Sequence, residues 1–572
     1  MPIPFTSFHR SLRQTVGTGF LLLAASASVA SPQTKASSAV SPTAAFERVM
    51  KDAYPADKPG AAVIVVKDGK TLFRKAYGMA DLELGVPLQP DMVFRLGSIT
   101  KQFTATAILM LAEEGKLNVQ DRIEKHLPGY PTHGHTITIE HLLTHTSGIQ
   151  SYTGMPGWMT DRITAPMKPQ EIIDGFKKEP MNFAPGERYA YNNSGYILLG
   201  AIIEKVSGKT YEAFVKERIF DPLGMTSSYY GSTEPIIKKR VPGYSGDAKA
   251  PVNARYLSMT QPYAAGSLAS TVDDLARWDQ ALAASKLIKP ESLAQAWKPF
   301  VLKSGEPTTY GYGWVKGSLR GRRSIEHGGG IFGFSTYALS LPDDRVYVAV
   351  LCNSDSPATD PGYVARKLAA LGAGDPFPEW TEVKLDNSVL ERYAGLYQID
   401  ANNTRTVTVA EGRLYTQRSG GGQRLEARAS SQTEFFYPQN FTHFTFVLDA
   451  SGRATEMLMH QDGAAEAQRA PRVADAPKER PEVQVAVALL NEYLGDYELG
   501  PGFVLAVTRE GDRLMTQATG QQKIEVFASS DTEFFPKVID ARIVFTRSTS
   551  GAVDGLVLHQ AGREMKARKV KE

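Results

Sequence analysis

Apolar and polar positions divide the chain into two regimes. From about residue 45 to 372, strand and helix patterns are mixed. The apolar run Ala61–Val66 reaches the turn Asp68-Gly69 and returns as Thr71–Tyr77, which predicts a β-hairpin. Ser335–Leu341 and Arg345–Leu351 flank Pro342-Asp343-Asp344 and predict a second one. Between them, Gln102–Glu114 is apolar on nearly every face and stops at Gly115, the pattern of a helix inside a domain core. A sheet built from both ends of the region, with helices from its middle, satisfies this layout and gives an α/β (α+β) class.

Beyond Pro376 the pattern becomes short alternating strands, such as Thr406–Val409 and Phe444–Leu448, separated by Gly, Asp and Ser turns. This part also repeats. Leu390–Tyr397 matches Leu490–Tyr497, Arg413–Gln417 matches Arg513–Gln517, Ser430–Phe436 matches Ser529–Phe535, and His460-Gln461 matches His559-Gln560. Anchors in one order at a nearly constant offset indicate a duplicated module. Two small antiparallel all-β barrels are predicted, over 385–475 and 485–572, with the Pro-rich stretch Ala476–Pro481 between them.

The N-terminus carries a different kind of signal. His9, Arg10 and Arg13 precede the apolar run Phe20–Ala25, and small residues follow up to Ser28-Val29-Ala30. Residues 1–30 therefore predict a secretory signal cut near Ala30, followed by a flexible tether over 31–44 and a secreted or periplasmic protein. No later run is long enough to span a membrane.

Composition narrows the function. Of 572 residues 42% are hydrophobic and 22% charged, an ordinary globular balance, and the net charge of +3 comes without a basic run. A nucleic-acid partner is not expected. The single cysteine, Cys352, excludes an intrachain disulfide framework and any multi-cysteine metal site; its apolar surroundings, Val346–Leu351, predict a buried strand thiol. His133/His135 and the pair His141/His145 have ligand-like spacing, but no Glu completes an H-E-x-x-H frame, so neither a metal nor a cofactor is expected.

Candidate chemistry concentrates in three segments. Phe94-Arg95-Leu96-Gly97-Ser98-Ile99-Thr100-Lys101 puts Ser98 at the start of the buried helix, where free N–H groups favour developing negative charge, with Lys101 on the same face. A lysine there either lowers the barrier to ionising the serine by its charge or, if neutral, takes the proton. The loop Phe183–Tyr196 holds Tyr191 and Asn193 two residues apart, before a helix starting near Ile197. The Tyr191 phenol is a base only if neighbouring cations pull its pKa down from about 10. Glu326-His327-Gly328-Gly329-Gly330 opens a strand whose glycines allow close backbone approach to a substrate and offer an N–H to an oxyanion. Glu326 either orients His327 or is a solvated strand-edge carboxylate.

With these three segments in this order, the sequence resembles the superfamily of serine β-lactamases and penicillin-binding proteins, in the branch of class C β-lactamases, D-Ala-D-Ala carboxypeptidases, D-aminopeptidases and related esterases. His141–Ile149, Ala265–Thr271 and Tyr312-Gly313-Trp314 add to the resemblance, which spans about 45–372. It implies a β-lactamase-like domain with an antiparallel sheet and a helical subdomain. It further implies Ser98 as acylated nucleophile, Lys101 as its activating partner and Tyr191 as general base. Asn193, His327, Gly329 and Gly330 would hold the substrate, with the N–H groups of Ser98 and Gly330 as oxyanion hole.

One departure sets the expected specificity. Where the β-lactamases carry Lys-Thr-Gly, this chain has His327-Gly328-Gly329. A mostly neutral histidine does not supply a lysine's fixed charge to a substrate carboxylate. The expectation is weak β-lactamase and carboxypeptidase activity, and better turnover of small substrates without an anionic end: D-amino-acid amides, short peptides read from the amino end, or small esters. The tail resembles that of D-aminopeptidases, in which two lipocalin-like barrels follow the catalytic domain and a loop from one restricts the active site; the alternative is that the barrels are spacers or wall-docking modules. A non-catalytic scaffold is the rival to an enzyme, and the complete set Ser98, Lys101, Tyr191 and Asn193 argues against it.

Overall fold

The computed structural model describes residues 42–571, apart from 420–422, 439, 465, 477–481, 501–502, 520, 522, 538–540 and 561–562. The signal segment 1–30, the tether up to residue 41 and residues 477–481 of the inter-barrel stretch lie outside the described residues.

The sheet joins the two ends of the first region. After helix α1 (Pro42–Ala53) come β1 (Ala61–Lys67) and β2 (Lys70–Tyr77); helices α2 (Thr100–Glu113), α3 (Asn193–Ser207) and α4 (Val272–Ala283) follow. The chain returns as β3 (Val315–Leu319), β4 (Arg322–Ile331), β5 (Phe334–Leu341) and β6 (Val346–Cys352), and ends in α5 (Pro361–Gly372). The antiparallel order is β3-β4-β5-β6-β1-β2. Strand β1 is apolar throughout because both of its faces are covered. Ala62, Ile64 and Val66 pack into a core with α2 and α3, whereas Ala61, Val63 and Val65 pack into a second core with α1 and α5. Cys352 lies in that second core, where burial pushes its thiol up to about 12, far from reactive thiolate.

Two boundaries differ from expectation. Helix α3 begins at Asn193 rather than Ile197, because Asn192 is its N-cap: the Asn192 side chain accepts from Gly195 N at 3.0 Å. Strand β4 begins at Arg322, four residues before Glu326, so the glycines lie at its end and not its start. Glu326 fits neither expectation. Successive strand residues face opposite ways, and Glu326 is buried in an ion pair with Arg366 of α5.

The tail forms two closed eight-stranded barrels, spanning Gly395–Ala474 and Gly495–Lys571. Their shared tyrosine spacing has a structural cause. Tyr397 Oη donates to Tyr393 O at 2.7 Å, and Tyr497 Oη to Tyr493 O at 2.8 Å, so each pair closes one barrel end without an orphaned hydroxyl. The first barrel docks on the α5 layer: Phe441 stacks on Phe377 at 3.8 Å and on Tyr363 at 4.5 Å between centroids. That contact is on the opposite side of the sheet from α2, and no described tail residue lines the cleft at Ser98.

Candidate active site

Ser98 occupies a one-turn 3-10 helix, Gly97–Ile99, that leads into α2. The turn needs Gly97. Its φ is +53°, and a Cβ there would lie 3.1 Å from Gly330 N, so glycine is what lets the Ser98 turn sit against the end of β4. Gly329 has a similar role: a Cβ would lie 2.0 Å from Leu96 O. At Gly330 a Cβ would meet nothing within 4 Å, because that residue borders a cavity. The cavity has a volume of about 360 Å³ and is lined by Ser98, Asn193 and Gly330, with apolar walls from Met159, Leu257 and Phe332.

Behind Ser98 lies Lys101, fully buried. Its Nζ is 3.1 Å from Ser98 Oγ, 2.9 Å from Asn193 Oδ1 and 2.9 Å from Ala265 O. Burial holds this amine well below its ordinary value of 10.5. A neutral amine has two N–H groups and one lone pair. A neutral amine here would give both N–H groups to the two carbonyl oxygens, which can only accept, and turn its lone pair to the Ser98 hydroxyl, whereas an ammonium would donate to all three oxygens. Of the two uses of Lys101 left open by the sequence, the downward shift by burial, not the geometry, favours proton acceptor.

Tyr191 is shifted in the opposite direction from the one a general base needs. Although 41% of the residue is solvent-exposed, the surrounding protein desolvates the phenol and pushes it up; its hydrogen bond with Ser98 offsets part of that. The cations that would have lowered it are missing. Lys101 Nζ lies 4.7 Å from the ring centroid, but burial disfavours its charge, and burial lowers His327 to about 4 and His145 well below 6.5. Burial thus favours the protonated phenol and works against the general-base role that the resemblance implies for Tyr191.

Asn193 is fixed from several directions. It accepts from Lys101, its Nδ2 donates to Thr153 Oγ1 at 3.2 Å, and its backbone N–H donates to Ser151 Oγ at 3.2 Å. His327, by contrast, turns away from the cavity. Its Nδ1–H donates to Gly328 O at 2.6 Å, and its Nε2 accepts from Tyr310 Oη at 2.8 Å. Neither His327 nor Gly329 lines the cavity; both shape its wall.

Three contributors were not picked out from sequence. Tyr310 donates to His327 Nε2 once the Gly328 carbonyl has claimed the Nδ1 proton, and no spacing signal points to it. His145, considered for metal spacing, accepts from Asn192 N at 3.0 Å and packs on Tyr191 at 4.3 Å between centroids, so it sets the start of α3 and the phenol together. Asp355 borders the cavity from just beyond β6, accepting from Gly333 N at 2.8 Å and from Ser245 Oγ. It is the one charged residue among those lining the cavity.

Comparison with known proteins agrees with this geometry. Residues 46–373 match the family described as Beta-lactamase, and 381–472 and 479–571, the two barrels, each match a domain of unknown function, DUF3471. The chain is 32% identical over 429 residues to penicillin-binding protein 4* of Bacillus subtilis (strain 168), covering 71% of this chain and 93% of that protein. It is 30% identical over 308 residues to protein flp of Staphylococcus aureus (strain NCTC 8325 / PS 47), covering 52% of this chain and 60% of that one. The octameric penicillin-binding protein homologue from Pyrococcus abyssi superposes with a TM-score of 0.52 at 27% identity, covering 74% of this chain and 98% of that one. D-amino acid amidase from Ochrobactrum anthropi SV3, complexed with L-phenylalanine, shares the fold with a TM-score of 0.50 at 23% identity, covering 57% of this chain and 97% of that one. With the family match spanning the whole first region and a serine–lysine pair in contact at its centre, this chain belongs to the beta-lactamase family of serine hydrolases.

Proposed function

We propose that this serine hydrolase is D-aminopeptidase-like, cleaving amides of D-amino acids and short peptides from their amino end through an acyl-enzyme on Ser98. The observation that carries the reading is the charge of the cleft: its lining includes the carboxylate of Asp355 and no lysine or arginine. A substrate carboxylate has nothing there to pair with, whereas a substrate ammonium does. Burial of His327 as a neutral imidazole supports the same preference.

The proposed steps use the groups as protonated above. Ser98 Oγ attacks the acyl carbon while its proton passes to the Lys101 lone pair. The N–H groups of Ser98 and Gly330 bind the oxyanion. As the C–N bond breaks, the Tyr191 phenol gives its proton to the leaving nitrogen and recovers one from the Lys101 ammonium. Water then repeats the sequence on the ester, with Lys101 neutral again as its base.

The test compares kcat/KM for D-alanine p-nitroanilide, its N-acetyl derivative, a short-chain nitrophenyl ester and nitrocefin. The free-amine anilide should exceed the N-acetyl form by at least tenfold, and nitrocefin should be poor. Equal turnover of the two anilides with faster ester cleavage would replace this reading with a small-ester hydrolase, which the apolar walls from Met159, Leu257 and Phe332 also suit. We further propose export through residues 1–30; N-terminal sequencing of the secreted protein should begin near Ser31.

A further inference from the structure

A second cavity lies on the α2 side of the sheet, between α4, the helix Pro290–Ala296 and strands β3 to β6. Its volume is about 850 Å³, against about 360 Å³ for the cleft at Ser98. The two are separate. On β5, Ser335 lines the cleft and Ser340 the second cavity, about 16 Å apart along the strand. Val66, Leu293, Trp297, Ile325 and Tyr347 give the second cavity apolar walls, and Asp279 is the one acid that lines it.

Nothing in the packing of α4 accounts for that carboxyl. Leu275, Trp278 and Leu282 mark the buried face of the helix, and Asp279 stands four residues after Leu275 and three before Leu282, on the same face. Other carboxylates buried in this domain have a cation. Asp274, on the same helix, has Arg277 at 2.6 Å, and Glu326 has Arg366. Among the described residues Asp279 has no ion pair; the Ser340 hydroxyl hydrogen-bonds to it but carries no charge. Burial raises the carboxyl to about 7, the direction expected of an acid whose charge is not compensated.

We infer that this cavity is a binding site for an organic ammonium with an apolar body, whose charge Asp279 receives. The volume falls within the roughly 300–1,000 Å³ of small-molecule pockets, so the ligand has room. The cationic side chains lining the cavity do not favour an anion instead. Arg323 and Arg345 are already paired with Asp343 and Asp68, and Lys298 and Lys316 are exposed. An anion at those lysines would form a pair in water, which gains little. An ammonium at Asp279 would form a charge-assisted hydrogen bond away from water, where such bonds are strong, while its body covers the apolar walls.

The test is calorimetric titration of the full chain with 2-phenylethylamine and, separately, phenylacetate, at pH 8, above the value of Asp279. The titrations are repeated in Asp355→Asn, which removes the carboxylate of the Ser98 cleft, so this site and the reading of that cleft can fail independently. The amine should bind saturably to both chains, and adding Asp279→Asn should weaken this binding at least tenfold while Ser98-dependent amide hydrolysis stays unchanged. Ala283→Trp, at an exposed position of the cavity wall one helical turn from Asp279, should fill the space and weaken binding severalfold without touching the core. Absence of amine binding to Asp355→Asn, an isotherm that neither Asp279→Asn nor Ala283→Trp alters, or phenylacetate binding as tight as the amine would each overturn the assignment.

Discussion

Replacing Lys101 by alanine separates the two ways a lysine can activate Ser98. Lys101 Nζ lies 2.9 Å from both Asn193 Oδ1 and Ala265 O and 3.1 Å from Ser98 Oγ; as a neutral amine it would give its N–H groups to the two carbonyls and its lone pair to the hydroxyl. Removing a positioned base costs about 10²–10⁴ in rate, so kcat/KM should fall by about 10³, or about 4 kcal/mol of activation free energy. The two carbonyls lose their donor, at about 1–3 kcal/mol each for a group left buried and unsatisfied, and the melting temperature reports that loss separately. Lys101→Arg supplies a permanent positive charge but cannot accept a proton, so a base role predicts activity as low as in the alanine variant. Methylamine added to Lys101→Ala gives the sharper test. Rescue should follow the concentration of free amine, and the wild-type rate should rise with pH to a plateau reached well below 10.5. Rescue that follows ammonium instead, or an arginine variant within tenfold of wild type, would refute the neutral-amine argument.

Further outcomes follow from neighbouring groups. Burial lowers His327 from 6.5 to about 4, so its contribution to stability is complete above pH 6.5 and is lost progressively as pH falls toward 4. The shift corresponds to about 3 kcal/mol; denaturant midpoints of wild type minus His327→Gln should reveal it. The subtraction cancels Asp279, whose burial-raised value of about 7 contributes with opposite sign. Asp355→Asn should lower kcat/KM for free-amine anilides by roughly 10–100-fold, the value of a hydrogen bond to a charged group, and leave N-acetyl anilides unchanged in the same assay. Gly329→Ala should destabilise the protein by about 1–3 kcal/mol, because its Cβ would enter Leu96 O at 2.0 Å, whereas Gly330→Ala should melt like wild type.

How much of this was legible beforehand depended on whether the information is local. The hairpins β1–β2 and β5–β6 and the duplicated barrels follow from periodicity and turn residues, which neighbouring positions specify. The serine–lysine pair was legible because three residues along a helix share one face. The start of α3 was missed because Asn-Asn reads equally as loop or as cap, and only the Gly195 N–H decides between them. The titration of Tyr191 was missed for a different reason. A phenol beside a lysine looks like a candidate phenolate while the lysine is taken as charged; the burial that disfavours that charge depends on α2, α3 and Ala265 coming together from distant parts of the chain. Asp355 lies far from Ser98 in sequence and carries no spacing signal that singles it out, and the spacing of His145 from His141 points to a metal rather than to its packing on Tyr191.

The protonation states around Ser98 follow from one cause. Burial disfavours the charged form of each: it lowers Lys101, His145 and His327 and raises Tyr191. In the proposed reaction, charge appears when the serine proton moves to Lys101 and negative charge develops at the acyl oxygen. The Ser98 and Gly330 N–H groups would meet the charge on the oxygen, and the Asn193 and Ala265 carbonyls, 2.9 Å from Nζ, would meet the new ammonium. Interactions that strengthen only as charge develops lower the barrier without deepening the ground state. A permanent cation at position 327 would break this neutrality and would attract substrate carboxylates. With a neutral imidazole there, Asp355 is left as the fixed charge lining the cleft, and it is of the sign that receives an amine.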